Sequence, residues 1–161
     1  MLPEFDRQFR PDKNHHPAPS PGVAVCEGCH AIWRDHRWHR GGAEAEAMIQ
    51  QGAALTQCPG CKAVERKAYD GQVVLSGAFL RDHHDEILGL VHHIEHEVRD
   101  GNPITRIAAL TESENQVEIL TISEFLAERI GKEVRKAYKG ELDMRRPERQ
   151  PFVSVTWVRE R

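Results

Sequence analysis

The sequence predicts an α+β fold, in which a small cysteine-bearing module is followed by a sheet with two helices. Two C-x-x-C pairs lie near the N-terminus, at Cys26–Cys29 and Cys58–Cys61. Ala78–Arg99 carries apolar residues at helical spacing, and Phe152–Val158 alternates apolar and polar residues with a period of two. A chain of 161 residues suits either one domain or a metal-stapled module with a modest second domain.

The composition divides the chain into three parts. Residues 1–22 contain Pro3, Pro11, Pro17, Pro19 and Pro21 and few apolar side chains. Such a segment cannot offset the entropy lost on ordering, so we expect a flexible arm. The cysteine-bearing module is then expected at 23–70 and an α+β domain at 71–161.

The four cysteines are the strongest candidates for metal ligands, because C-x-x-C pairs in a reducing compartment indicate a metal site before disulfides. Each pair encloses a glycine, and the second pair also encloses a proline; both residue types favour the tight turn that aims two thiolates at one ion. Zn²⁺ prefers four ligands in a tetrahedron, and a complete Cys₄ set leaves no open position for a substrate. We therefore predict a zinc ribbon with both pairs in hairpin turns, holding one structural zinc ion through Cys26, Cys29, Cys58 and Cys61.

Two alternatives to the zinc site stay open, a redox dithiol and unligated cysteines. A thioredoxin-like redox role would need one C-x-x-C pair that opens a helix in a βαβ context. The sequence has two pairs and no evident βαβ context around either, which favours the metal site.

The elements of the module follow from local composition. Val23–Val25 leads into the first pair as a short strand. Ala43–Gln51 is rich in helix formers and ends near Gly52, which predicts a short helix.

The elements after residue 70 follow from periodicity. Gln72–Leu75 is a strand candidate, and a helix over Ala78–Arg99 ends at the Asp100–Pro103 turn. Its apolar stripe consists of Ile87, Val91, Ile94 and Val98, widened by Leu88 and Leu90.

The last part of the chain predicts a β-β-α-β-β order. Ser123 is the expected N-cap of a helix that runs to about Tyr138. We expect strands at Ile104–Leu110, Gln116–Thr121, Glu141–Arg145 and Phe152–Val158, and a helix face of Phe125, Leu126, Ile130, Val134 and Ala137.

The formal net charge of −3 gives no global preference for nucleic acid, but the charges are unevenly distributed. Residues 71–100 hold two arginines against six acidic residues, whereas residues 129–149 hold eight basic residues against four acidic ones. A polarised surface is one interpretation of this asymmetry, and ordinary solvated faces are the other. No apolar run approaches the ~20 residues that span a bilayer, and the N-terminus lacks the apolar core of a secretory signal, so we expect a cytoplasmic protein.

The segment His30–Arg40 is basic and aromatic, with three arginines, two tryptophans and three histidines. Arginine binds phosphate, and tryptophan stacks on unpaired bases, so the segment suggests RNA binding. In the alternative, Trp33 or Trp38 packs against the zinc core and the arginines are merely solvated. The residues predicted to contact RNA are Arg34, Arg37, Trp38 and Arg40, with Lys132, Arg135, Lys136 and Lys139 as a second cationic face.

The predicted long helix is rich in histidine, at His83, His84, His92, His93 and His96. A metal could bridge two histidines at i and i+4, which would allow a small metal-dependent enzyme. The sequence has no HExxH motif, no P-loop, no G-x-G-x-x-G and no G-x-S-x-G. A polar surface is the simpler interpretation, and we do not expect an enzyme.

The cysteine pairs and the pattern that follows them resemble a known family. The C-x-x-C and C-P-x-C pairs, the Val117–Leu120 strand, the Ser123–Tyr138 helix and the Lys139–Asp143 segment resemble bacterial and archaeal relatives of the large-ribosomal-subunit export adaptor, the Nmd-three family. The resemblance implies a zinc-binding region and association with the ribosome. The larger members of that family carry more cysteine pairs and further domains, and a nuclear-export role does not fit a chain of this length.

The sequence therefore favours a non-catalytic zinc-ribbon protein that binds RNA or the ribosome. A protein-interaction adaptor in transcription or stress response is the first alternative, in which the acidic helix would meet a basic partner. A metal-dependent enzyme built on the histidine-rich helix is the second.

Overall fold

A computed structural model describes residues 22–161, so the predicted arm lies outside the described residues apart from Gly22. The fold is mixed α+β, with two sheets and, within the described range, five helices. The described chain divides into two compact units. The cysteine unit comprises residues 22–68 with 99–104, and the sheet unit comprises residues 69–98 with 105–161.

The cysteine unit is built on a small four-stranded sheet in the order β3-β2-β1-β4. Central strand β1 pairs antiparallel with β2 and parallel with β4, and β2 and β3 form a hairpin that the sequence analysis did not predict. The turn of this hairpin consists of Asp35 and His36, both with positive φ, as a two-residue type I′ turn requires. The strands are β1 Ala24–Cys26, β2 Ile32–Arg34, β3 Arg37–His39 and β4 Leu55–Thr56.

Two helices complete this unit. Helix α1, Gly42–Gln50, confirms the predicted helix to within a residue, and its Ala45 is buried beside Val25 and Ile32. Helix α2, Pro59–Glu65, follows the second cysteine pair directly and was not predicted. The apolar core of the unit is small, because it consists of two clusters of three buried residues each. One of these clusters includes Cys26 and Cys58.

The sheet unit contains a five-stranded sheet in the order β6-β7-β5-β9-β8. Strand β5 pairs antiparallel with β7 and parallel with β9, which makes it the centre of the sheet. The predicted β-β-α-β-β order of the last part of the chain is confirmed. The strands are β5 Gly71–Ser76, β6 Ile107–Glu112, β7 Gln116–Thr121, β8 Glu141–Arg145 and β9 Val153–Val158.

The predicted helix over residues 78–99 is two helices, α3 Ala78–Asp82 and α4 His84–Gly101. The break lies at His83, whose ring stacks on Phe79 with 4.1 Å between the ring centroids. Neither glycine nor proline marks residue 83, so the sequence contained no signal for this interruption. The predicted stripe of α4 is confirmed, because Ile87, Leu88, Val91, Ile94 and Val98 are buried.

Helix α5, Glu124–Tyr138, begins after Ser123, whose hydroxyl accepts a hydrogen bond from the backbone N–H of Phe125. This confirms the predicted N-cap. The predicted burial is wrong for two residues of this helix face. The Phe125 side chain is 59% exposed because it lies a third of a turn away from the buried stripe, and Ala137 is exposed in the last turn, where Tyr138 packs on the core instead. The buried face consists of Leu126, Ala127, Ile130, Gly131 and Val134.

Strand β6 begins three residues later than predicted. The Asn102 side chain accepts a hydrogen bond from the backbone N–H of Ile104, which extends the turn at the expense of the strand. The backbone N–H of Ile107 then donates to Glu95 on α4, at 2.6 Å, where the strand begins. None of the helices within residues 22–161 has the length and apolar character needed to cross a membrane.

Candidate metal centre and cationic surfaces

The four cysteines converge from two separate parts of the cysteine unit. Cys26 is the last residue of β1, and Cys29 lies in the turn that follows. The second pair opens α2, with Cys58 as its N-cap and Cys61 in its first turn. Pro59 occupies the first helical position, where its missing N–H costs nothing. The two pairs therefore meet although 28 residues separate them in the sequence.

The sulfur positions fit one tetrahedral ion. All four Sγ atoms lie within 4.8 Å of one another. The Cys26 and Cys61 sulfurs are 3.7 Å apart, and the Cys29 and Cys58 sulfurs are 3.6 Å apart. A tetrahedron with metal–sulfur bonds of about 2.3 Å has edges of about 3.8 Å, so the cluster has the size that a sulfur-bound zinc requires. Within the described part of the chain, this is the one cluster of three or more potential ligands.

The clustered sulfurs also affect the ionisation of Cys58. The Cys26 and Cys29 sulfurs, together with burial, raise the pKa of the Cys58 thiol, because a thiolate there is unfavourable without a neighbouring positive charge. A metal ion reverses this effect, since it deprotonates its thiol ligands. Backbone N–H groups also point at sulfur: that of Cys58 lies 3.2 Å from the Cys26 Sγ, and that of Cys61 lies 3.4 Å from the Cys58 Sγ.

The local architecture differs from the expected zinc ribbon. The first pair lies in a turn between antiparallel strands, as predicted, but the second pair lies at the start of a helix rather than in a second hairpin. One C-x-x-C pair therefore opens a helix, which is one of the features that a thioredoxin-like redox role would need. The redox interpretation gains little from this, because the other pair brings two more sulfurs within 4.8 Å. Gly28 allows this approach, since a Cβ there would lie 3.0 Å from the Cys61 sulfur.

The two tryptophans of the β2–β3 hairpin form a cross-strand pair. Trp33 and Trp38 are register partners, and their rings meet edge to face with centroids 5.6 Å apart. Trp38 packs against the cysteine cluster, so the alternative interpretation of the segment is confirmed for this residue. Part of the Trp38 ring therefore packs in the core, although this residue was predicted to contact RNA.

Two of the three hairpin arginines meet acidic side chains. The Arg34 guanidinium bonds Glu44 on α1 at 2.6 Å, which lowers the pKa of the Glu44 carboxyl and raises that of Arg34. Arg40 forms an ion pair with Asp100, a residue of the same unit. Arg37 is exposed, and no acidic partner for it lies among residues 22–161. The structure therefore separates the three arginines that the sequence analysis grouped together.

The second predicted cationic face lies along the second half of α5 and includes its C-cap residue, Lys139. Its four members are exposed, and among the described residues none of them forms an ion pair. Their spacing of three and four residues places Lys132, Arg135 and Lys136 on one side of the helix, and Lys139 follows as the C-cap residue, with a φ of 61°. We call this surface the α5 stripe; it consists of Lys132, Arg135, Lys136 and Lys139.

The histidines of the predicted long helix belong to no group of three or more potential metal ligands within residues 22–161. His92, His93 and His96 are exposed on α4, away from its buried stripe. Acidic neighbours accompany several of them: His93 lies 2.9 Å from Glu97, which also bonds Arg129 on α5. Much of the acidity of this helix is therefore engaged within the sheet unit.

One residue of the candidate RNA surface was missed. Trp33 was weighed as a core residue, yet it is half-buried and belongs to neither core cluster of its unit. Trp33 follows the buried Ile32 in β2, and neighbouring residues of a strand point to opposite faces of the sheet. This signal could not be used, because the strand itself had not been predicted.

Comparisons of the chain with protein-family models, with curated proteins and with solved structures gave no match.

Proposed function

We propose that this protein is a non-catalytic, zinc-stabilised RNA-binding protein that associates with the ribosome. The observation that carries the proposal is the α5 stripe, three exposed cations on one helix face and a fourth at the C-cap, without acidic partners in the described chain. Unpaired cations in a row are what a phosphate backbone neutralises, with release of its condensed counterions.

The proposed role of zinc is structural. Four sulfurs complete a tetrahedron, so an ion held there would have no position for a substrate or a reactive water. The ion would link the β1 turn to the first turn of α2 and thereby support the hairpin that carries Arg37. Thiolate ligands also suit a reducing compartment, and we propose the cytoplasm.

The ribosome is the proposed source of the RNA because of the resemblance to the Nmd-three family. That resemblance is drawn from the two cysteine pairs of this chain and from its strand–helix pattern up to residue 143. The adaptor hypothesis has less support, since Glu95 and Glu97 on the acidic helix already bond Ile107 and Arg129. Those contacts leave fewer acidic groups for a basic partner.

The proposal is tested by the salt dependence of RNA binding. The double variant Lys132→Gln/Lys136→Gln removes two cations from the α5 stripe. For single-stranded RNA we expect the slope of log K against log salt to shrink by about 1.4, and the affinity at 0.2 M salt to fall about tenfold. Fluorescence anisotropy of a labelled oligonucleotide measures the slope and the affinity. A salt range from about 0.05 to about 0.4 M covers roughly one decade.

The matched control is Arg81→Gln/Arg145→Gln, which makes the same charge change in the same unit. Both of these arginines are exposed, but each already pairs with a neighbouring aspartate. The control should leave the slope within experimental error of the wild type. Equal losses in the two double variants would mean that net charge alone attracts RNA, and absence of RNA binding at low salt would overturn the proposed function.

A further inference from the structure

A cavity of about 320 Å³ lies in the cysteine unit, between the β2–β3 hairpin and the segment 101–104. This volume is at the lower end of small-molecule sites, so it suits one flat ring system rather than two. The lining residues are Trp33, His36, Arg37, Trp38, Gly101, Asn102, Pro103 and Ile104.

One tryptophan of the aromatic wall, Trp33, does not pack in either apolar cluster of the unit. Trp38 packs on the cysteine cluster, and the Trp33 ring contacts the Trp38 ring edge to face. Trp33 is half-buried and is outside both core clusters of the unit. An indole in this situation has area left for a planar ligand, and base–indole stacking tolerates every base because each has a π-face.

The other wall is held in place. The ion pair between Arg40 and Asp100 ties the end of the hairpin to the residue before the wall, and Asn102 bonds the backbone of Ile104. The hairpin turn is equally constrained, since Asp35 and His36 adopt positive φ without being glycine. Both walls of the cavity are therefore connected by contacts that need no ligand.

The charge of the lining selects the ligand. Two tryptophans alone would suit a quaternary ammonium, which binds between aromatic faces. Here Arg37 and His36 line the cavity and no acidic residue does, so a cation would be repelled. A planar ring that carries a negative group fits both the indole and the guanidinium.

We propose that this cavity binds one unpaired nucleobase of an RNA strand, with the base stacked on Trp33 and an adjacent phosphate bonded to Arg37. The inference rests on the proposed RNA binding and adds its substrate class, single-stranded rather than duplex RNA. A base within a duplex is already stacked on both sides and cannot enter the cavity.

The test compares two RNAs of equal phosphate number, a single-stranded oligouridylate and a duplex. For Trp33→Leu we expect a loss of about 5-fold to about 150-fold in affinity for the single strand, and a change of less than about 2-fold for the duplex. Trp33→Phe, which keeps an aromatic face, should recover most of the loss. Arg37→Lys should bind better than Arg37→Gln, because it keeps the charge.

Wild-type fluorescence gives a measurement that needs no substitution in the cavity. Trp157 is fully buried in the sheet unit, so quenching by a directly stacked base would arise from Trp33 and Trp38. The single strand should quench and the duplex should not.

The outcomes separate the two proposals. RNA binding that depends on the α5 stripe but is indifferent to Trp33, with equal quenching by both RNAs, overturns the cavity assignment and leaves the proposed function standing. If Trp33→Leu weakens binding of the single strand and of the duplex equally, the cavity assignment is likewise overturned and the proposed function stands. Failure of the wild type to bind either RNA overturns the proposed function, and the cavity assignment with it.

Discussion

Arg34, Arg37 and Arg40 lie within seven positions of one another, but the fold gives them different partners. Glu44 meets Arg34 from ten positions away, and Asp100 meets Arg40 from sixty positions away. Exposed ion pairs of this kind contribute little to stability, but they reduce the charge that each arginine offers to a ligand. Arg37, with no acidic partner in the described chain, is the arginine of the hairpin best placed to bind phosphate.

A second effect at the scale of single residues concerns His84, the first residue of α4. Its Nδ1 lies 2.9 Å from the Asp85 carboxylate, and its Nε2 lies 3.4 Å from Glu112 on β6. The hydrogen bond with Asp85 is the main reason why the pKa of His84 is raised, and the charge of Glu112 adds to it. A raised pKa in the folded state means that this contribution to stability is complete below the ordinary histidine value and disappears as the pH rises through the folded value.

We predict that the pKa of His84 exceeds that of a histidine in an unfolded peptide. An NMR titration of the ring protons measures it, with His84→Gln used to assign the signal. Asp85→Asn should lower the midpoint more than Glu112→Gln does, because the hydrogen bond with Asp85 is the larger cause. A midpoint that responds only to Glu112→Gln would contradict this order of causes.

At the scale of elements, α5 combines a local start signal with a close approach to the sheet. Ser123 caps it, and Leu126, Ile130 and Val134 bury one face. Gly131 lies where α5 crosses β9, and a Cβ there would lie 2.5 Å from a methyl carbon of Val155. The helix therefore packs closer to the sheet than any side chain at this position would allow.

We predict opposite effects for the same substitution in two helices. Gly131→Ala should reduce the free energy of unfolding by about 1–3 kcal/mol, because the new methyl group overpacks the contact with Val155. Gly89→Ala in α4 should raise it by about 0.5–1 kcal/mol, since a Cβ there meets nothing within 4 Å and alanine favours the helix. Urea unfolding followed by circular dichroism measures both, and a stabilising Gly131→Ala would refute the close approach.

At the scale of the whole molecule, the two units have different sources of stability. The sheet unit buries seventeen residues in one apolar core. The cysteine unit has two clusters of three buried residues each, and Cys26 and Cys58 belong to one of them. So small a core cannot offset the entropy of ordering the unit, whereas binding of a structural zinc ion supplies about 10 kcal/mol or more.

We therefore predict that metal removal unfolds the cysteine unit and spares the sheet unit. In Cys26→Ser and Cys61→Ser, amide hydrogen exchange should lose protection over residues 22–68, while β5 and α5 remain protected. Elemental analysis should find one zinc ion per chain in the wild type and less than one in each variant.

The control for the cysteine variants is His30→Asn, next to Cys29. His30 has a positive φ, which asparagine tolerates, and it is outside the sulfur cluster. This variant should keep a full equivalent of zinc. Retention of zinc and protection by both serine variants would show that the four sulfurs do not hold the ion that stabilises the unit.

The sequence by itself determined the features that depend on neighbouring residues. The C-x-x-C spacing identified the four sulfurs that cluster, the alternation in β9 and the stripe of α4 gave their buried faces, and Ser123 gave the start of α5. Each of these follows from the period of a helix or strand, or from a hydrogen bond within a few residues.

Only the tertiary structure decided the features that depend on residues far apart in the chain. These include the placement of the second cysteine pair on a helix, the ion pairs that engage Arg34 and Arg40, and the packing of Trp38 on the cysteine cluster. A local pattern sets which face a side chain occupies, but not which distant group meets that face. The cavity beside Trp33 arises for the same reason, because its second wall comes from residues 101–104, more than sixty positions further along the chain.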